Sequence, residues 1–172
     1  FGRQPARWFY HGWREVIDPW CLREPREVTA ADVNALALPW LADRARAPFF
    51  LSQLAAPHLR ETQGSIVNLV DIYAERPLRG HTVYCMAKAA LLMLTQSMAL
   101  ELAPTVRVNA VAPGAVLWPE EGKAPAEQQA LLARTPLARP GVPADVADAV
   151  LWLARDARYT TGQVIRVDGG RA

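Results

Sequence analysis

Three short runs rich in β-branched residues alternate with helical segments, and this alternation of predicted strands and helices restricts the fold more than any other feature. The strand-like runs are SIVNLVDI (65–72), VRVNAVAPG (106–114) and GQVIRVDGG (162–170). The helical patterns between them lie at about residues 81–103, 125–136 and 142–157. Strands joined by helices pair in parallel through right-handed crossovers, with helices on both faces of the sheet. We therefore predict an α/β fold with a doubly wound parallel sheet.

The stretch HTVYCMAKAALLML (81–94) carries a tyrosine and a lysine one turn apart in an otherwise apolar helix, which we expect to be deeply buried. Side chains four residues apart share a helix face, so Tyr84 and Lys88 point the same way. A nearby ammonium lowers the pKa of a phenol, which would make Tyr84 a proton donor or acceptor near neutral pH. The alternative is that both side chains reach past apolar surface to water.

The strand ends bring further candidates towards this pair. Ligands of parallel α/β sheets bind beyond the carboxyl ends of the strands, which here are Asp71, Pro113-Gly114 and Asp168. The N-terminal end of the helix at 81–103 opens near the same rim. We therefore predict that Asp71, Tyr84 and Lys88 converge on one crevice. Taken alone, Asp71 also fits a loop-capping aspartate, and Pro113-Gly114 fits a plain turn.

Composition excludes several classes of function. The net charge of +2 and the absence of basic runs argue against nucleic-acid binding. Two cysteines, Cys21 and Cys85, give neither a disulfide framework nor metal-ligand spacing, so we expect no metal. No uninterrupted apolar run reaches 18 residues and no signal-peptide core is visible, so we expect a cytoplasmic protein without a membrane span.

Three stretches resemble the C-terminal part of a short-chain dehydrogenase/reductase: NLVDIYAERPLRGHTVYCMAKAALLMLTQSMALEL, VRVNAVAPGAVLWPE and TGQVIRVDGG. Within that family the chain resembles the pteridine reductases in particular, because Asp71 stands thirteen residues before Tyr84 where most members have serine. The resemblance covers about residues 45–172, and residues 1–44 match poorly. It implies a single, incomplete domain, a Rossmann-like fold that lacks the N-terminal dinucleotide-binding strands.

The resemblance implies NADPH-dependent reduction of a dihydropterin or folate-type ring. Lys88 would bind the nicotinamide ribose and lower the pKa of the phenol, and Tyr84 would contact the ribose and relay protons. Asp71 would protonate or position the substrate, since reduction of a pterin C=N bond requires a full proton at nitrogen. A carboxyl group kept partly neutral in an apolar crevice can supply that proton.

The resemblance also implies contacts made by the loop after the second strand. Pro113, Gly114 and Val116 would approach the nicotinamide carboxamide, and glycine there permits a close approach. Leu117 and Trp118 would line the substrate pocket. Family members commonly assemble through the long helix and the last strand, so we expect a homo-oligomer, a tetramer or dimer.

Two departures from the family pattern keep alternatives open. No glycine-rich phosphate loop precedes the first strand, and Arg44 stands where the family usually has an asparagine. A carbonyl-reducing member of the family, such as a 3-oxoacyl or sugar-alcohol dehydrogenase, is one alternative. A non-catalytic fragment that serves in assembly is the other.

Overall fold

A three-stranded sheet with helices on both faces forms the part of the chain that the computed structural model describes, residues 47–116 and 124–171. The strands are β1 (Ser65–Leu69), β2 (Arg107–Pro113) and β3 (Val164–Val167). The helices are α1 (47–61), α2 (Thr82–Leu102), α3 (Pro125–Leu132) and α4 (Pro143–Arg155), and a 3-10 turn over Ile72–Ala74 follows β1. Each predicted element is present within a few residues of its expected bounds.

All three strands are parallel, in the order β1-β2-β3. Leu69 pairs with Val111, and Pro113 pairs with Val167, so the carboxyl ends of the strands lie at one rim of the sheet. The residues that follow β1, β2 and β3 therefore meet there, as predicted.

Alternate residues of β2 supply the two halves of the core. On one face, Val108 packs with Ala56 of α1 and with Met98 of α2. On the other face, Val111 packs with Leu153 of α4, and both side chains are fully buried. Burial on both faces explains why β2 reads as a continuous apolar run. The doubly wound arrangement is confirmed.

The α2 helix is only half covered, which contradicts the prediction of deep burial. Tyr84, Met98 and Leu102 lie against the rest of the fold, but Met93 is 60% exposed and Leu100 is 83% exposed. The sheet contacts one side of the helix, whereas the opposite side carries residues spaced by three and four. We call this side the outer stripe of α2: Met86, Ala89, Met93, Gln96 and Leu100.

By length and composition alone, α2 could cross a membrane. A helix that packs on a sheet in a soluble protein meets the same criterion, and the buried side of α2 is part of such a core. The absence of a membrane span and the cytoplasmic location stay predictions.

Within the described ranges, β1 pairs on one side only and leaves its other edge open. Val70, immediately after the strand, donates its backbone N–H to Val111 O at 2.9 Å, so its backbone polar groups point towards β2. Because these groups alternate in direction along a strand, the N–H and C=O of Leu69 point to the open edge. Leu69 is 52% exposed. This edge is where a further strand could pair, which agrees with the expectation of a Rossmann-like fold that lacks its N-terminal strands.

Arg107 joins the start of β2 to the end of α4. Its guanidinium donates to Leu153 O at 2.6 Å, Ala154 O at 2.8 Å and Ala157 O at 3.0 Å. The last carbonyls of a helix have no partner within the helix, and a cation there also offsets the helix dipole. This contact fixes α4 across the sheet from α2.

Candidate active site

The Asp71 side chain is held by two hydrogen bonds at the carboxyl end of β1. It caps the turn Ile72–Ala74, because Oδ1 accepts from Tyr73 N–H at 2.9 Å. Oδ2 accepts from the Tyr84 hydroxyl at 2.5 Å. The capping role and the contact with the helix tyrosine therefore occur together, on different oxygens.

Burial raises the pKa of Asp71 above its ordinary value of 3.8. The hydrogen bonds from Tyr84 and from Tyr73 N–H oppose this effect, as do the positive charges of Lys88 and Arg171. Burial outweighs them because a carboxylate loses more solvation than a neutral carboxyl group when water is removed. Asp71 therefore keeps a proton to higher pH than an exposed aspartate would.

Lys88 lies beside the same phenol. Its Nζ is 5.8 Å from the centre of the Tyr84 ring, and it donates to Leu69 O at 3.0 Å. Leu69 O is on the open edge of β1, so the lysine reaches the backbone of a different element from its own. Tyr84 is only 7% exposed, whereas Lys88 is half-buried. The predicted convergence of Asp71, Tyr84 and Lys88 is what the structure has.

The Pro113-Gly114 turn forms the next part of the rim. Gly114 N–H donates to Val167 O at 2.9 Å, and a Cβ at position 114 would lie 2.7 Å from Cα and Cβ of Asp168. Only glycine fits this approach without displacement. The backbone that follows β2 is therefore in close contact with the end of β3. On its other side, β2 lies next to β1 and the Asp71 turn.

Val116 lies two residues further along, at the end of the described range. Its Cγ2 would be 3.4 Å from a Cβ at Gly141, and the Gly141 N–H donates to Ala115 O at 2.9 Å. The predicted pocket residues Leu117 and Trp118 lie outside the described residues, as does Arg44.

Two residues make long-range contacts that have no local signal in the sequence: Arg171 does so beside the site, and Asn109 does so before the start of β3, away from the rim. Arg171 Nη2 donates to the Tyr73 hydroxyl at 3.0 Å, across 98 residues of chain. Asn109, fully buried in β2, donates to Thr160 O at 2.9 Å and accepts from Gln163 N–H at 3.0 Å. Only the presence of a polar residue within an apolar strand could have marked Asn109. Nothing in the spacing marks Arg171.

No group of three or more histidine, cysteine, aspartate or glutamate side chains within residues 47–116 and 124–171 is arranged to hold a metal ion. The three side chains that converge at the end of β1 are a phenol, an ammonium and a carboxyl group. Together they can bind hydroxyl groups and transfer protons.

A family description for enoyl-(acyl carrier protein) reductase matches residues 39–172, most of the chain. The chain belongs to the short-chain dehydrogenase/reductase family. It is 40% identical over 126 residues to the 3-oxoacyl-[acyl-carrier-protein] reductase FabG of Thermotoga maritima, an alignment that covers 71% of this chain and 51% of that protein. It is 39% identical over 158 residues to pteridine reductase 1 of Leishmania tarentolae, with 86% of this chain and 52% of that protein covered.

Among solved structures, a short-chain dehydrogenase from Leptospira borgpetersenii with bound NAD+ superposes with a TM-score of 0.70 at 28% identity. That match covers 84% of this chain and 58% of the other. The chain thus spans about half the length of the curated relatives it matches.

The alignment to pteridine reductase 1 covers 86% of the 172 residues, which is about 148 residues and more than the 128 residues of 45–172. The similarity therefore begins upstream of residue 45, earlier than the motifs indicated.

Proposed function

We propose that this chain carries the proton-delivering half of an NADPH-dependent pteridine reductase. The observation that carries the proposal is the 2.5 Å hydrogen bond between the Tyr84 hydroxyl and Asp71, a carboxyl group whose pKa is raised by burial. Identity of 39% to pteridine reductase 1 supports the same substrate class. The substrate is a dihydropterin or folate-type ring.

The chemistry of a C=N bond explains why a carboxyl group suits this position. Reduction adds a hydride to the ring carbon and a proton to the ring nitrogen. Asp71 in its protonated form supplies that proton, which leaves a carboxylate. The Tyr84 hydroxyl lies within hydrogen-bond distance of Asp71 and passes it a replacement proton, and the Lys88 charge stabilises the phenolate that results.

The residues of the rim fit a nicotinamide cofactor, which would supply the hydride. Lys88 and Tyr84 offer an ammonium and a hydroxyl to the ribose, and the resemblance to the family implies that backbone groups of Gly114 approach the nicotinamide carboxamide. Pro113 and Val116 flank that backbone. The preference for NADPH over NADH is part of the proposal and rests on the similarity to pteridine reductase.

The test measures NADPH oxidation with dihydrobiopterin and with dihydrofolate as substrates. Two proteins are compared: this chain, and this chain fused behind the N-terminal half of the Leishmania tarentolae enzyme. The fusion should turn over pterins, and Asp71→Asn should lower kcat by about 10²–10⁴-fold because it removes the proton donor. A fusion that binds NADPH and reduces ketones but not pterins would refute the assignment.

Reduction of a carbonyl group is the second candidate, favoured by the 40% identity to a 3-oxoacyl reductase. A ketone oxygen needs only a hydrogen bond and a proton from the tyrosine, so serine at position 71 suffices. The Asp71→Ser variant separates the two functions: it should abolish pterin turnover and keep or improve reduction of a 3-oxoacyl thioester.

We further propose that the chain assembles with copies of itself through the outer stripe of α2. Its exposed residues recur at intervals of three and four, the spacing by which two helices pack along a seam. The same surface would serve a non-catalytic assembly role. An oligomer in sedimentation together with no nicotinamide binding in calorimetry would favour that role over catalysis.

A further inference from the structure

The C-terminal segment is bound to the turn that follows β1, although β2 separates β1 from β3. Arg166 of β3 pairs with the Glu75 carboxylate, with Nε 3.0 Å from Oε2. Arg171 Nη2 donates to the Tyr73 hydroxyl at 3.0 Å, and Arg76 Nη1 donates to Arg171 O at 3.3 Å. Three contacts thus connect residues 73–76 with residues 166–171.

Tyr73 is the residue through which this connection reaches the site. Its backbone N–H donates to Asp71 Oδ1, and its hydroxyl at the other end of the residue accepts from Arg171. Asp71 Oδ2 is at the same time bound to Tyr84. A shift of the Tyr73 ring would move the backbone that aims the carboxyl group at the phenol.

We propose that Arg171 is a positioning residue, which fixes Tyr73 and thereby holds the Asp71 carboxyl group against the Tyr84 hydroxyl. The proposal rests on the proposed function for its consequence in catalysis, but its geometry stands without a substrate. The Arg166–Glu75 pair contributes less, because both side chains are more than a third exposed and water weakens such pairs. Arg171 is half-buried and acts nearer the carboxyl group.

The charged and titratable groups around Asp71 come from three elements. Tyr84 and Lys88 lie on α2, Tyr73 lies on the turn, and Arg171 comes from the C-terminal segment. Lys88 and Arg171 are the two cations that favour the ionised carboxyl group. Loss of the Arg171 charge should therefore leave a carboxyl group that holds its proton to higher pH.

The experiment titrates Asp71 in the 172-residue chain by carbon NMR of the labelled carboxyl groups, with Asp71→Asn to assign the signal. Arg171→Met should raise the titration midpoint above that of the wild type, because a positive charge that favours the ionised carboxyl group is lost. Arg171→Lys keeps the charge, so its midpoint should lie above that of the wild type by no more than half of the rise seen in Arg171→Met. Tyr73→Phe keeps the arginine but frees the ring, and should raise the midpoint by a smaller amount. Arg60→Met on α1 is the matched control and should change nothing.

Two results would overturn the proposal. One is a midpoint in Arg171→Met equal to that of Arg60→Met. The other is a shift in Arg171→Met with none in Tyr73→Phe, since the arginine would then act by charge alone and not by fixing Tyr73. The titration needs neither cofactor nor substrate, so failure of pterin turnover leaves this test intact, and the reverse also holds. If Arg171→Met does not fold, Arg171→Lys and Tyr73→Phe still decide.

Discussion

A methyl group at position 114 should separate the carboxyl ends of β2 and β3. In Gly114→Ala the new Cβ would lie 2.7 Å from Cα and Cβ of Asp168, whereas ordinary contacts begin at 3.4 Å, so the two backbones must part by about 0.7 Å. The hydrogen bond from Gly114 N–H to Val167 O, 2.9 Å long, lies across the same gap and would stretch out of its normal range.

Both effects lower the free energy of unfolding. Forcing an extra carbon into close-packed surroundings costs about 1–3 kcal/mol, and weakening one backbone hydrogen bond costs about 1 kcal/mol. The smaller freedom of alanine in the unfolded chain returns about 0.4–1 kcal/mol. The expected net loss is therefore about 2 kcal/mol. In the fusion protein, displacement of the turn by about 0.7 Å should also weaken NADPH binding.

Urea unfolding followed by tryptophan fluorescence measures the loss, and Gly141→Ala provides the control. A Cβ at position 141 would meet its nearest atom, Val116 Cγ2, at 3.4 Å, so that variant should be neutral or slightly more stable. If Gly114→Ala unfolds within about 0.5 kcal/mol of Gly141→Ala, the close approach at Asp168 does not restrict this position and the argument fails.

Three further perturbations have distinct expected outcomes. Arg107→Met removes the guanidinium donor from three carbonyls near the end of α4 and should lower the free energy of unfolding by about 2 kcal/mol in urea titration, with Arg107→Lys in between. Two of these carbonyls keep another donor, Ser65 Oγ for Ala154 O and Thr160 N–H for Ala157 O. Asp71→Asn should flatten the pH dependence of stability measured by urea titration between pH 4 and 8. The raised pKa means that the folded chain binds a proton more tightly than the unfolded chain, so wild-type stability falls as pH rises through that pKa. Met93→Glu, on the outer stripe of α2, should shift sedimentation towards the monomer.

Each of these has a result that contradicts it. Equal stability of Arg107→Met and wild type would mean that water replaces the guanidinium at the helix end. If the free energy of unfolding depends on pH in the same way in the wild type and in Asp71→Asn, groups other than Asp71 determine that dependence. An unchanged sedimentation coefficient in Met93→Glu would exclude the outer stripe from assembly.

Sequence reasoning predicted the order of elements because the signals for strands and helices are local. β2 is buried on both faces and reads as an apolar run, and an acidic residue stands in the first turn of α4, where Asp145 accepts from Val142 N–H at 2.8 Å. The convergence of Asp71, Tyr84 and Lys88 followed from one rule, that parallel strands place their carboxyl ends together.

What the sequence did not predict depends on contacts between distant residues. The exposure of Met93 and Leu100 was missed because an apolar helix looks the same whether its outer side faces a core or solvent. The partners of Arg107 and Arg171 lie 46 and 98 residues away, respectively, and periodicity carries no information at such distances. The backbone oxygen bound by Lys88 was missed for the same reason.

The α2 helix divides its tasks along its length. Tyr84 and Lys88 occupy the first two turns, whereas Met98, Ala99 and Leu102 in the last two turns help to build the core with Val108. Loss of the proposed chemistry and loss of stability should therefore be separable by position along this one helix. An inert Tyr84→Phe protein that keeps its shape would then be a ready vehicle for trapping ligands at the rim.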